Sequence, residues 1–253
     1  MRFASLGSGS RGNATLIEQG NSCLLVDCGF SVVQLERRLA RLGKSLDDLS
    51  AVLITHEHGD HIRGVTALAR KTSLPVWMTP GTASKHAGGT IPSLKSLNSH
   101  TPFSIGELEV QPFPVPHDAK EPVQFVFSNG QHRLGLLTDV GHITPHIELM
   151  LDGCDAMLLE CNHDRQMLAE SAYPEHLKRR ISSDYGHLSN DQSAGLLEKV
   201  DCSRLQHVVA AHLSEKNNAP EQVVGALSTV LDCTPDWIGI CDQEEGLAWR
   251  DIR

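Results

Sequence analysis

The feature that most constrains this chain is the string Thr55-His56-Glu57-His58-Gly59-Asp60-His61. It follows the apolar run Ala51–Ile54 and precedes a helical pattern at Ile62–Ala69. Imidazole and carboxylate are the ligand types for zinc, iron or manganese, and no cysteine stands among them to suggest a thiolate structural site. In extended backbone His56 and His58 share one side at a period of two, whereas Asp60 and His61 come from the turn beyond. Ligands presented as two pairs suggest two metals. The bland alternative is a polar loop with chance histidines.

A pair of metals needs more ligands than one loop supplies, and the downstream sequence offers them where apolar runs end. His117 follows Val110–Val115, Asp139 follows Leu134–Thr138, and His212 follows Val208–Ala211. The carboxyl ends of buried strands are where α/β-type folds place sites. Taken singly, each of these residues could merely cap a turn. Taken together with the first cluster, they read as one constellation.

Another motif points elsewhere. Gly7-Ser8-Gly9-Ser10-Arg11-Gly12 matches a dinucleotide fingerprint, with Asp27 downstream in the position of the ribose-binding acid. That motif requires a helix next, but Thr15-Leu16-Ile17-Glu18 is β-branched and stops at Gly20-Asn21, which reads as a hairpin. A glycine-rich turn at the rim of a site is the better reading.

Elsewhere helical periods at Val32–Leu42, Pro80–Ala87, 143–150, 175–181, 190–199 and 219–230 alternate with short apolar runs. No repeat, low-complexity tract or linker interrupts them, so one domain over 1–253 with mixed sheets and helices outside is expected. Seven scattered cysteines without a C-x-x-C indicate small buried residues in a reducing compartment. No apolar stretch reaches the length of a membrane span, and the first residues lack a signal-peptide core. A cytoplasmic protein without a membrane partner is therefore expected. The net charge of −9 argues against a protein that coats nucleic acid through a basic surface. It leaves room for an enzyme that engages a phosphodiester locally.

With these residues in hand, the chain resembles the metallo-β-lactamase superfamily. Its pattern is T-H-x-H-x-D-H, then His, Asp and His at strand ends. The resemblance implies an α/β fold, a four-layer αββα sandwich, with a binuclear site between the sheets. It implies His56, His58 and His117 on one metal, Asp60, His61 and His212 on a second, and Asp139 bridging them. Further strings resemble the YycJ/WalJ-type subfamily: Phe3–Ser10 with Gly12-Asn13, His117-Asp118-Ala119, Glu160-Cys161-Asn162-His163-Asp164 and Gly186–Asn190. Cys161 departs mildly from that subfamily's pattern. Its members are described as metal-dependent nucleases, including 5′-to-3′ DNA exonucleases.

The implied reaction is phosphodiester hydrolysis by a hydroxide held between two metals, zinc foremost, with manganese or iron as alternatives. Asp60 and Asp139 would ligate or hydrogen-bond that hydroxide. The leaving oxygen needs a proton donor, and His187 and His163, both between Asp139 and His212, are the candidates. Packing beside a helix that Ser189 or Asn190 starts is the competing role for His187, and orientation of a ligand is the competing role for His163. Asp118 could orient a ligand imidazole or cap a turn, and Lys178-Arg179-Arg180 could meet a nucleic-acid backbone or be a solvated face. DNA or RNA is expected as substrate, not as a stable partner, and the superfamily's habits allow for a homodimer. The alternatives are a small-molecule phosphodiesterase acting on cyclic phosphates and a thioester hydrolase of the glyoxalase II type.

Overall fold

A computed structural model describes residues 1–253. Two seven-stranded mixed sheets form its centre. The first runs, in spatial order, Leu247–Asp251, Arg2–Gly7, Ala14–Gln19, Ser22–Val26, Ala51–Leu53, Val76–Met78 and Leu94–Ser96. The second runs Ile238–Ile240, His207–Ala211, Ala156–Glu160, Arg133–Leu137, Val123–Ser128, Leu108–Pro114 and Phe103–Ile105.

The central strands are apolar on both faces because both faces are covered. Leu24 and Val26 point between the sheets while Leu25 points to the outer layer; Val209 and Ala211 point between them while Val208 and Ala210 point outward. Three apolar layers result. One lies between the sheets and includes Phe3, Phe125 and Phe127. One seats the helix Val32–Arg41 and the helix Val65–Thr72 on the first sheet through Leu35, Leu39 and Leu68. The third seats Pro145–Leu151, Asn190–Leu197 and Pro220–Leu231 on the second sheet through Ile147, Leu196 and Val223. This is the αββα sandwich expected from the resemblance.

The glycine-rich opening is indeed a hairpin, Arg2–Gly7 paired antiparallel with Ala14–Gln19. The expected helix at Ile62–Ala69 is divided into a turn at Gly59–Ile62 and the helix Val65–Thr72. Gly64 stands at the division because a Cβ there would lie 1.9 Å from the Phe30 carbonyl oxygen. No helix is long and apolar enough to cross a membrane.

Candidate metal centre

Strand ends from both sheets meet at one edge of the sandwich. Asp27, Asp139 and His212 each follow a strand of the central parallel region and each has left-handed backbone, with φ of 63°, 53° and 56°. Non-glycine residues rarely adopt that conformation, and where the fold imposes it the strain commonly marks a functional site. The His56–His61 loop follows the strand Ala51–Leu53. It packs against the turn at Asn13, whose amide donates to the Asp60 carbonyl at 2.7 Å. Gly29 permits that approach, since a Cβ there would fall 1.8 Å from the Asp60 carbonyl oxygen.

The histidines are oriented by where their protons go. His58 Nε2 donates to the Asp118 carbonyl at 2.9 Å, and His117 Nδ1 to the Gly186 carbonyl at 3.0 Å. His61 Nδ1 donates to Asp27 Oδ2 at 2.7 Å, and His212 Nδ1 to Glu160 Oε1 at 3.2 Å. Thr55 Oγ1 gives its own proton to Asp27, at 2.9 Å, and so accepts from His56 Nδ1 at 3.0 Å. Each ring thus keeps its second nitrogen as a lone pair, the arrangement that outer partners impose on metal-binding imidazoles.

Those lone pairs converge. His56, His58 and His117 form one group of ligand-type atoms, and Asp60, His61 and His212 a second. Asp139 joins His56 and His61 in a third group, and Glu160, His187 and His212 in a fourth. Asp139 Oδ2 lies 3.0 Å from His61 Nε2, and Oδ1 lies 3.4 Å from His212 Nδ1 and 3.9 Å from His117 Nε2.

The chemistry of this set suits divalent cations. His58 Nδ1 and His117 Nε2 face each other at 3.2 Å although each ring's proton is committed elsewhere, which is repulsive unless a cation is shared. His56 Nε2, Asp139 Oδ2 and His212 Nε2 are buried without any hydrogen-bond partner, a costly arrangement that a metal ion would relieve. Five imidazoles with two carboxylates are donors for zinc and its neighbours.

Without a metal, the cluster polarises itself. Burial opposes a charge on His212, but the neighbouring carboxylates of Asp139, Asp60 and Glu160 outweigh it and lift the imidazole to about 10. His61 is likewise raised well above its ordinary value against burial, by Asp139, Asp27 and Asp60. Burial would raise the Asp60 carboxyl, yet the neighbouring His61 and His212 hold it below the usual range. Burial dominates at His56 and His117, which are both lowered.

His187 belongs to this assembly. Its side chain is 21% exposed and donates from Nδ1 to Glu160 Oε1 at 2.8 Å, with Asp139 Oδ1 at 3.6 Å. It does not cap the following helix, because Ser189 does so in a reciprocal box with Gln192. A cleft of about 380 Å³ opens here, lined by His187, Asp60, Asp139 and His212 together with Tyr173 and Arg180.

His163 is placed differently. It is in none of the four groups, is buried, has an unpartnered Nδ1, and lines a neighbouring cavity. Burial lowers it to about 4. Asp118 orients a ring through its carbonyl, not its carboxylate: that ring is His58, and the carboxylate faces Arg180 at 3.3 Å.

Several residues that hold the site were not identified as site residues from the sequence. Asp27, which completes the misleading fingerprint, accepts from the Thr55 amide at 2.9 Å and fixes His61. Glu160 accepts from the Val140 amide at 2.9 Å as well as from two histidines. Ser8 Oγ accepts from the His212 backbone amide at 2.9 Å, and the Asn13 side-chain Nδ2 meets His61 Nε2 at 3.0 Å. The glycine-rich turn is therefore a wall of the centre. Its serine and asparagine were the only available signals.

Comparison with known proteins agrees with this geometry. Residues 23–212 match the family model described as beta-lactamase superfamily domain. The chain is 37% identical over 240 residues to exodeoxyribonuclease YycJ of Bacillus anthracis, covering 92% of this chain and 89% of that one. It is 35% identical over 226 residues to exodeoxyribonuclease WalJ of Streptococcus pneumoniae, covering 87% and 84%. Among solved structures, the metallo-beta-lactamase fold protein YhfI from Bacillus subtilis superposes with a TM-score of 0.75 at 15% identity, covering 99% of each chain.

Proposed function

The chain belongs to the beta-lactamase superfamily, in the company of the YycJ and WalJ exodeoxyribonucleases, and from that premise we propose that it is a metal-dependent nuclease acting on DNA ends. The observation that carries the site assignment is the convergence of inward lone pairs, three of whose buried atoms have no partner. His56, His58 and His117 would hold one divalent ion and Asp60, His61 and His212 a second, with Asp139 shared between them. Zinc fits this donor set first, and manganese next. Ions bound there supply a nucleophile at neutral pH and neutralise charge on the phosphate.

The chain's own residues do the rest. Glu160 accepts the Nδ1 proton of His187 and leaves Nε2 as the nitrogen that serves a substrate in the cleft. In its imidazolium form His187 gives the Nε2 proton to the leaving oxygen as the phosphodiester breaks, the general-acid step, and is left as the neutral ring that still donates from Nδ1 to Glu160. Arg180 and Tyr173, on the rim of the cleft, meet the strand that enters.

The test is degradation of an end-labelled, 5′-phosphorylated linear duplex by zinc- or manganese-loaded protein, with Asp60→Ala beside it. Mononucleotides released by the native chain and not by the variant are the expected result. An intact duplex, with a bis-aryl phosphate diester still cleaved, would move the substrate to small molecules. Failure on both would bring the thioester class forward.

A further inference from the structure

A cavity of about 490 Å³, larger than the cleft over the metal-type residues, adjoins that cleft. The two share a wall. Asn162 lines the cleft and the next residue, His163, lines the neighbouring cavity. The helix Glu175–Ile181 presents Leu177, Arg180 and Ile181 to the cleft, and Glu175, Lys178 and Arg179 to the cavity. That division follows the helical period, positions three and four apart sharing a side.

The cavity is cationic in a chain whose net charge is −9. Arg165, Lys178 and Arg179 line it, against the single carboxylate of Glu175. Lys178 is neutralised, 3.2 Å from Glu175 and donating to the Ala169 carbonyl at 2.6 Å. Arg165 is held through Nε alone, to Ser189 Oγ at 3.1 Å and near Asp191 at 3.5 Å, so its two terminal nitrogens are uncommitted. Arg179 has neither an ion pair nor a hydrogen bond. His163, 2% exposed and with an unpartnered Nδ1, is the most buried residue of the lining. A buried polar ring beside two uncommitted guanidiniums is the chemistry of a phosphate site.

We propose that this cavity is a second phosphate subsite, in which Arg179, Arg165 and His163 hold a phosphate of the strand whose scissile group lies in the adjoining cleft. The inference rests on the nuclease reading for its substrate. The phosphate is either the strand terminus or a backbone group near the cut, and the two differ in what they demand of the substrate.

The experiment is fluorescence anisotropy of a duplex with phosphorothioate linkages that resist cleavage, binding the metal-loaded protein over a series of salt concentrations. Arg179→Ala removes an unpaired exposed side chain and leaves the fold intact. Loss of one charged hydrogen-bonding contact weakens binding about 10-fold. Loss of one phosphate contact also lowers the slope of log affinity against log salt by about 1. Arg165→Ala acts in the same direction. Lys95→Ala, an exposed cation on the far edge strand of the first sheet, changes neither quantity.

A penalty confined to 5′-phosphorylated duplex assigns the terminal phosphate. An equal penalty on 5′-hydroxyl duplex assigns a backbone phosphate. Unchanged affinity and slope in both arginine variants overturn the subsite, as does a native chain that binds no duplex. Degradation of an ordinary duplex, followed in parallel, tests the nuclease reading separately, since the subsite variants can fail to weaken binding while degradation persists.

Discussion

Asp27 and Glu160 are carboxylates buried at the carboxyl ends of parallel strands, one in each sheet, and each accepts a ring proton from a histidine of the candidate centre. The similarity ends there. Asp27 gives its remaining bonds to the Thr55 amide and hydroxyl, at 2.9 and 3.0 Å, so it fixes one loop and one ring. Glu160 accepts the Val140 and Leu188 amides and then two rings, His212 and His187. Burial works against its ionisation, but the His187 charge and the bonds from His187 and His212 bring it down to about 2. One half of the site is a rigid mount for ligands. The other half is a mount that also connects a candidate ligand to His187, which lines the cleft.

The most severe way to break this comparison is to remove what both halves share. Asp139→Ala takes away the carboxylate that reaches His61 from one sheet and His212 from the other. Charge stabilisation by the ions is worth several kcal/mol, so kcat on duplex DNA is expected to fall by about 10⁴-fold. His187→Ala removes only the proposed proton donor and should lower kcat by about 10³-fold with metal content retained. Metal analysis beside steady-state kinetics separates these two variants.

Sharper tests touch the two carboxylates. Glu160→Gln disturbs His212 and His187 together, and is expected to reduce kcat by about 10²-fold and to displace the alkaline limb of the pH–rate profile. Asp27→Asn disturbs one mount only. It should weaken metal affinity by about 10-fold and leave kcat at saturating metal nearly native. Equal effects of the two variants on kcat would remove the distinction drawn between them.

The smallest expected effect is on the stability of the metal-free chain. His212, at about 10 when folded against an ordinary 6.5, contributes stability that is complete below pH 6.5 and lost as pH rises through 10. Glu160, at about 2 against 4.5, contributes above pH 4.5 and loses it as pH falls through 2. Thermal melts of the chelated protein should therefore peak between pH 4.5 and 6.5 and decline on the alkaline side. Metal affinity should rise across that same alkaline window, because the proton on His212 must leave for a cation to bind.

The comparison also explains what the sequence made legible. The His56–His61 ligands are local, and a seven-residue string displays them whole. His117, Asp139 and His212 are distant from one another, yet each announces itself by ending an apolar strand. Asp27 and Glu160 end strands too, but their work is to accept protons from rings 34 and 52 residues away, a relation no spacing records. Asp27 was further disguised by a glycine pattern whose physical requirement, a following helix, the hairpin denies. His163 and His187 have equal claims on paper. The backbone bridge from His163 to Ser189 sets their segments side by side, while the shared wall assigns one ring to each cavity. The edge strands Leu94–Ser96 and Phe103–Ile105 escape notice because they are short, largely exposed and mix polar with apolar residues, unlike the equally short but wholly apolar and buried Ala51–Leu53.

The central claim is that ligands from the two sheets assemble two metal positions, and metal content tests it most directly. The zinc-loaded, desalted protein should carry two equivalents, and His58→Ala and Asp60→Ala, each confined to one ligand group, should carry about one each. A native chain with a single equivalent that His58→Ala leaves in place would contradict it.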